Sequence, residues 1–243
     1  MGQVIDFHCH ILPGIDDGSA TVEESIAMLR AAAEQGIGFV VATPHFYPVR
    51  QSPDVFLERR DRAERKLRQE MEKYPNLPAL EIGAEVAYYS GMSESESLSC
   101  LAIRGTSYIL IELPPAPWPG EVWRELQGIR ERHGLTPIIA HIDRYIHPLC
   151  SYGIPAKMAD MPVLVQANAS FFLNRWTSRY AMKLLKKGQI HVLGSDCHNM
   201  TDRAPNLGPA LSKIKNKLGR EFIMRIMERG CMVLEDTAEN GVV

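Results

Sequence analysis

The chain has 243 residues, enough to bury a full core, and reads as one domain over residues 1–243 or as two small ones, with one favoured if its elements alternate regularly. Its 27 Lys and Arg against 29 Asp and Glu leave a net charge of −2, so there is no broad basic field for nonspecific nucleic-acid binding, and a partner must be recognised at a site. Cys9, Cys100, Cys150, Cys197 and Cys231 are odd in number, scattered and without a C-x-x-C pair, which argues against a disulfide scaffold or a thiolate zinc cluster. No basic-then-apolar leader and no run of roughly 18 apolar residues is present, so a cytoplasmic protein without membrane insertion is expected.

Short β-branched or apolar runs predict seven strands: 4–8, 37–43, 80–86, 108–113, 137–142, 162–167 and 191–195. Helix signals fall between them. Thr21 with Glu24 forms a T-x-x-E capping box and Gly36 closes that helix; Ser52-Pro53 is an N-cap followed by a first-turn proline. In "FLERRDRAERKLRQEMEK" the apolar positions Phe56, Ala63, Leu67 and Met71 make one stripe, the pattern of a solvated outer helix rather than a coiled coil or a basic arm. Residues 119–133 before Gly134, and 178–187 before Gly188, read as further helices. Each crossover is long enough to hold a helix, so the strands should be parallel. A closed or nearly closed β/α barrel is the leading architecture, and a doubly wound open sheet would show the same alternation.

In such barrels the reacting groups come from the C-terminal ends of the strands. There stand His8, His10, Asp16 and Asp17 after strand one, His45 after strand two, Glu85 in strand three, Glu112 in strand four, His141 in strand five, and Asp196 and His198 after strand seven. Five of the eight histidines lie at this edge. The cluster is costly to desolvate without cations, above all at Glu85 and Glu112, which sit in the apolar runs "LEIGAEVAYY" and "YILIELP". Pairing of these carboxylates with Arg104, Arg144 or Arg203 is the alternative. His8 and His10 are one residue apart and share a side of an extended chain, while Cys9 faces away; Asp196 and His198 repeat this around Cys197. Mixed nitrogen and carboxylate ligation suits manganese, iron or zinc. His133 before Gly134, His191 at a strand start and His147 before Pro148 carry no expected chemistry.

The segments "DFHCHILPGIDDG", "TPHF", "GAEVAYY", "IEL", "AHIDRY", "GSDCHN" and "DRAP" resemble, from about residue 4 to about residue 208, the PHP (polymerase and histidinol phosphatase) superfamily, and most closely its capsule-associated branch of bacterial protein-tyrosine phosphatases, the CpsB/YwqE type. The resemblance implies a distorted seven-stranded, TIM-like (β/α)7 barrel, α/β in class, carrying three divalent metal ions, with manganese the first candidate and iron or zinc the others. It places His8, His10, Glu85 and Asp196 on one ion, Glu85, Glu112 and His141 on a second, and Asp17, His45 and His198 on the third. Asp16 is left as a neighbour, and Arg144 and Arg203 match phosphate-binding positions. Two departures, "IDRY" for I-E-R-Y and "RAP" for R-P-P, leave the ligands untouched and bear on substrate preference.

Three divalent ions set against Asp17, Glu85, Glu112 and Asp196 retain about two positive charges, which suits a phosphate monoester dianion. The reaction expected is metal-assisted hydrolysis: a hydroxide bridging the cations attacks phosphorus in line while Arg144 and Arg203 hold the nonbridging oxygens. A phenolate leaving group needs little protonation, and Asp17 or a metal-bound water is the candidate acid. Trp118, in "ELPPAPWPGEVW", either packs on a phosphotyrosyl ring or belongs to a rigid structural turn. The resemblance further implies a phosphotyrosine protein partner, the tail of a tyrosine kinase controlling capsule or exopolysaccharide synthesis. Oligomeric state is not readable from the chain.

Rival readings are a histidinol-phosphate phosphatase or another PHP phosphoesterase, a TatD-like nuclease, an amidohydrolase, and a non-enzymatic metal-dependent regulatory module. The run from Cys197 to Arg203 also satisfies C-x5-R, the signature of thiol phosphatases. It has no glycine to open a phosphate-cradling loop, and Asp202 would repel the dianion.

Overall fold

The computed structural model describes residues 3–235; the remainder of the C-terminal stretch "EDTAENGVV", and any role for it, lies outside the described residues. The strands are β1 (Val4–Cys9), β2 (Ile37–Ala42), β3 (His45–Phe46), β4 (Ala79–Ile82), β5 (Glu85–Ala87), β6 (Tyr108–Glu112), β7 (Thr136–Ile139), β8 (Leu164–Asn168) and β9 (Val192–Gly194). The helices are α1 (Val22–Glu34), α2 (Pro53–Met71), α3 (Gly120–His133), α4 (Ile154–Ala159), α5 (Ala169–Leu173), α6 (Ser178–Lys186), α7 (Leu207–Leu218) and α8 (Arg220–Glu235). All ladders between these strands are parallel, as the long crossovers require.

The result is an α/β fold whose parallel strands form a half-barrel. The ladders differ from the single seven-stranded sheet expected: they fall into a three-stranded sheet, β1-β2-β4, and an open six-stranded sheet, β3-β5-β6-β7-β8-β9. The expected third strand breaks in two, as β4 and β5, and the second, which ends as expected, is followed by a short β3 that was not expected. Pro44 has no N–H to give after β2, and Gly83-Ala84 separates β4 from β5. Chain direction is kept across the break because Gly83 N donates to Ala42 O (2.8 Å) and Glu85 N to Pro44 O (3.0 Å). At the other end β9 is three residues long, and among the described residues the backbone hydrogen bonds to β1 lie past its end. Asp196 N donates to His8 O (2.8 Å), His10 N to Cys197 O (2.9 Å), and Cys9 and Cys197 form an isolated parallel bridge. Gly194 permits this approach, since a Cβ there would lie 2.5 Å from His8 Cβ.

The helices start where their local signals stand. Thr21 caps α1 by accepting from Glu24 N (3.2 Å), and Glu24 returns a bond to Ala20 N (2.9 Å), one residue before the cap. Ser52 caps α2, and its one buried stripe includes Phe56, Ala63 and Leu67. Inside the arc of strands Phe7, Val41, Leu110, Ile138 and Val192 meet Val233 of α8, which closes that end. Each such side chain contributes roughly 1.5–3 kcal/mol relative to exposure. Among the described residues no helix is long and apolar enough to cross a membrane.

Candidate metal centre

The polar residues gather at the other end of the arc, where the strands finish. His8 and His10 flank Cys9 on β1, so both imidazoles point to one side. Asp196 and His141 get there differently: each has left-handed backbone, with φ of 54° and 30°, just past the end of its strand. Such conformations are costly for residues bearing a Cβ and are held only where surrounding contacts enforce them. Gly18 completes "DDG" because a Cβ there would fall 2.2 Å from His10 O, so the turn presenting Asp16 and Asp17 folds directly onto β1.

Three overlapping sets of donor atoms result. His8 Nε2 and His10 Nε2 lie 3.2 Å apart and 3.2 and 3.3 Å from Glu85 Oε2, with Asp196 Oδ1 at 3.6 and 3.5 Å. Asp17 Oδ1 lies 3.4 Å from His45 Nε2 and 3.6 Å from His198 Nε2, and these three form a group with His10. Glu85 and Glu112 group with His45, while His141 Nε2 reaches Glu85 Oε1 at 2.7 Å and Glu112 Oε1 at 3.4 Å. All nine expected ligands therefore meet at one mouth. The grouping differs from the expected sets in adding His10 to the third and in placing His45 with the two glutamates. Asp17 stands at the lip with its side chain 66% exposed, whereas Glu85 is 1% exposed.

This donor set fits cations. Glu85 Oε2, His45 Nδ1, His141 Nδ1 and His198 Nε2 are buried without a hydrogen-bond partner. Glu85 Oε2 and His45 Nδ1 are 2.9 Å apart without forming a hydrogen bond to each other. The outward nitrogens are anchored as metal-binding imidazoles usually are: His10 Nδ1 on Asp16 Oδ2 (2.8 Å), His8 Nδ1 near Gln166 Oε1 (3.3 Å) and His198 Nδ1 on Asp196 O (3.0 Å).

Electrostatics follow from this crowding. Burial pushes Glu85 up, but His8, His10, His141 and His45 outweigh it and hold the carboxyl well below its usual range. Burial lowers His10, yet the Asp16 and Glu85 carboxylates raise it to about 10, and Glu112 and Glu85 likewise raise His141 to about 9. His198 drops to about 4 through burial, then His10 and Arg203. Burial raises Asp196, but His8, His10 and Arg203 prevail and hold it at about 2.

Of the arginines weighed as alternative partners, Arg144 binds Glu112 Oε1 (3.0 Å) and Asp196 Oδ2 (2.8 Å), and Arg203 binds Asp196 Oδ1 (2.9 Å). Arg104 is elsewhere, on Glu64 and Asp61. Glu85 has only histidines at ion-pair distance among the described residues. Trp118 is a structural residue: it is 7% exposed, donates to Pro114 O (2.7 Å) and packs edge-on against Trp123 and Tyr145. Burial therefore removes it from contact with a substrate ring. Cys197 is a free cysteine but only 2% exposed, which leaves the C-x5-R segment without an accessible thiol. His133 Nε2 lies 3.0 Å from Ser93 O, tying α3 to the turn at Met92–Glu94 that precedes β6.

Sequence reasoning gave the sixth strand no part in the mouth, yet β8 supplies two of its supports. Gln166 Oε1 accepts from His141 N, and Asn168 Nδ2 donates to Asp196 Oδ2 (3.1 Å). The signal was the pair of amides in "VQAN" at the end of an apolar run. Asp143 of "IDRY" accepts from Asn168 N (2.9 Å), so this departure holds β8 rather than a ligand. Tyr47, two residues after His45, stacks on that ring at 5.0 Å with Arg50 4.4 Å from its own centroid; burial, then Glu112, Glu85 and Asp17, push its hydroxyl up to about 12.

The family model for capsular polysaccharide synthesis, CpsB/CapC, matches residues 4–234. The tyrosine-protein phosphatase YwqE of Bacillus subtilis (strain 168) is 29% identical over 240 residues, covering 96% of this chain and 92% of that protein. The putative tyrosine-protein phosphatase CapC of Staphylococcus aureus is 27% identical over 238 residues, covering 95% and 91%. A crystal structure from the pair YwqE of Bacillus subtilis and CpsB of Streptococcus pneumoniae, described as metal-dependent tyrosine phosphatases, superposes with a TM-score of 0.82 at 26% identity, covering 97% of this chain and 96% of that one. A TatD-family hydrolase of Entamoeba histolytica shares the fold alone, with a TM-score of 0.54 at 8% identity. With the family model spanning nearly all of the described residues, the chain belongs to the CpsB/CapC family of capsular polysaccharide synthesis.

Proposed function

We propose that this chain is a metal-dependent hydrolase of phosphotyrosine in protein, acting as one PHP-type domain with its half-barrel completed as a distorted barrel. The tail of a tyrosine kinase in a capsule or exopolysaccharide system is the proposed substrate, and the cytoplasm the proposed compartment. The observation that carries this reading is Glu85, buried and faced by four imidazoles with no arginine among its ion-pair partners. A carboxylate so placed calls for cations. The relatives named as tyrosine phosphatases support the substrate class.

His8, His10, Glu85 and Asp196 would hold one cation, Glu85, Glu112 and His141 a second, and Asp17, His45 and His198 a third, manganese, iron or zinc all suiting the donors. When bound, such cations activate water as a nucleophile at neutral pH and stabilise charge on phosphoryl oxygens. The protein's part is orientation. Asp16, Gln166 and the Asp196 carbonyl fix the rings, while Arg144 and Arg203, whose side chains are 42% and 35% exposed, stand at the lip where nonbridging oxygens would lie. Their present partners Glu112 and Asp196 are among the proposed ligands, so a bound cation would compete with both guanidinium groups for these carboxylates. A tyrosyl leaving group, with a pKa of about 10, leaves with little protonation, and exposed Asp17 is placed to hold the proton it takes.

The test is turnover of a phosphotyrosyl peptide, histidinol phosphate and single-stranded DNA under the same manganese conditions. Phosphotyrosine should be preferred, a chelator should abolish turnover, and Cys197→Ser should largely spare it. Chelator-resistant turnover that Cys197→Ser removes would overturn the metal mechanism.

A further inference from the structure

Away from the mouth, α6 and α7 enclose an open groove of about 930 Å³ on the outer wall. Arg179, Lys183 and Lys186 recur at helical spacing along one face of α6, opposite Lys213 and Lys217 of α7. Among the described residues no carboxylate lines the groove. Among the described residues none of these five cations has an acidic side chain at ion-pair distance, although the whole chain carries a net charge of −2. Lys213 Nζ donates to Leu173 O (3.2 Å), and the cations gathered on the two helices make a local positive field that complements an anionic occupant.

We propose that this groove docks an acidic segment of the phosphorylated protein substrate, flanking the phosphotyrosine. The inference rests on the phosphotyrosine reading above and adds a sequence preference to it. Shape favours a polypeptide over a bilayer: the site is a concave channel between two helices with an apolar floor from Met182 and Leu218, suited to an extended chain, whereas a membrane presents a flat surface. Position agrees. α6 starts at Ser178, ten residues after Asn168, whose amide binds Asp196 at the mouth. Ten residues of chain span at most roughly 36 Å, which bounds the distance from Asn168 to the start of the helix, so an extended flank of similar length can reach that start. At the near end Arg175 lies 4.4 Å from the ring of Trp176, which is 72% exposed and supplies a spectroscopic reporter.

The experiment compares phosphotyrosyl peptides flanked by glutamates or by glutamines, on the manganese-loaded wild type and on the variant Lys183→Glu/Lys186→Glu/Lys217→Glu. These three residues are exposed, so the fold should survive. The wild type should show a KM about tenfold lower for the glutamate peptide, fading at high salt, and the variant should lose that preference while hydrolysing p-nitrophenyl phosphate as before. Equal KM values on the wild type, or a preference that survives in the variant, overturn the proposal. So does variant-sensitive sedimentation with phosphatidylserine vesicles in the absence of any peptide preference, which would assign the groove to membranes. Binding of an unphosphorylated glutamate peptide, read by Trp176 fluorescence, separates the two readings. If no phosphopeptide is turned over, variant-sensitive binding still supports the groove, and its absence overturns it.

Discussion

Asp16 uses both carboxylate oxygens on the mouth: Oδ2 accepts from His45 N (2.9 Å) and anchors His10 Nδ1, and Oδ1 accepts from Gly18 N (3.0 Å). Burial would raise its pKa, but His10 dominates and holds it at about 2, so it is anionic at any working pH. Its task is positioning, since it turns His10 Nε2 inward and sets the DDG turn. Asp16→Asn should weaken metal affinity by roughly 10–100-fold while leaving most of the activity at saturating metal. Metal titration of activity checks this, and an unchanged midpoint would remove Asp16 from the site. In the sequence Asp16 was visible only as a carboxylate beside the mouth. Its pairing with His10 depends on the direction of a turn, which residue types alone do not specify.

At the scale of elements, two part-buried polar contacts tie the helices and strands that support the mouth. Glu64 of α2 accepts Arg104 through both oxygens (2.8 Å each) and Arg68 (2.7 Å), joining α2 to the segment before β6. Glu64→Ala should cost about 2 kcal/mol in chemical denaturation, limited because both arginines are half-exposed and can rehydrate. His191, just before β9, has Nδ1 3.0 Å from Val165 N, so the neutral imidazole accepts that bond. Burial first, then Arg229, lowers its pKa to about 4. Below the unfolded value near 6.5 the unfolded chain binds the extra proton more readily, so this contribution is fully present above pH 6.5 and fades as pH falls towards 4. It amounts to about 2–3 kcal/mol. His191→Asn, which keeps an acceptor near Nδ1, should flatten the stability loss between pH 6.5 and 4 in urea melts; an unaltered slope would refute this assignment.

For the whole molecule, cations that bind only the folded mouth must stabilise it by mass action. Thermal melts with excess manganese should exceed those with chelator by the equivalent of about 2.7 kcal/mol when free metal is a hundredfold above its Kd. Glu85→Gln should abolish most of that difference, and a melting temperature indifferent to metal would contradict the proposed sites. The sequence foresaw the parallel order of the strands and the gathering of all nine ligand candidates at one end, because both depend on features local to a strand: its apolar run, its crossover length and the residue that follows it. It missed the short β3 after Pro44 and the break at Gly83-Ala84, and with them the division into two sheets, since an apolar pattern does not record where a ladder bends. It also left β8 out of the mouth, because Gln166 and Asn168 are neutral amides whose value appears only beside His141 and Asp196.

By itself the chain determined the class of chemistry. Imidazoles and carboxylates placed after successive apolar strands have few low-energy arrangements other than convergence around cations. Only the tertiary structure decided that Glu85 lies at the centre of four imidazoles, that Arg144 and Arg203 share Asp196, and that Trp118 and Cys197 are turned into the interior. Those outcomes depend on distances between residues remote in sequence, which are set when the strands curve and the core closes behind them.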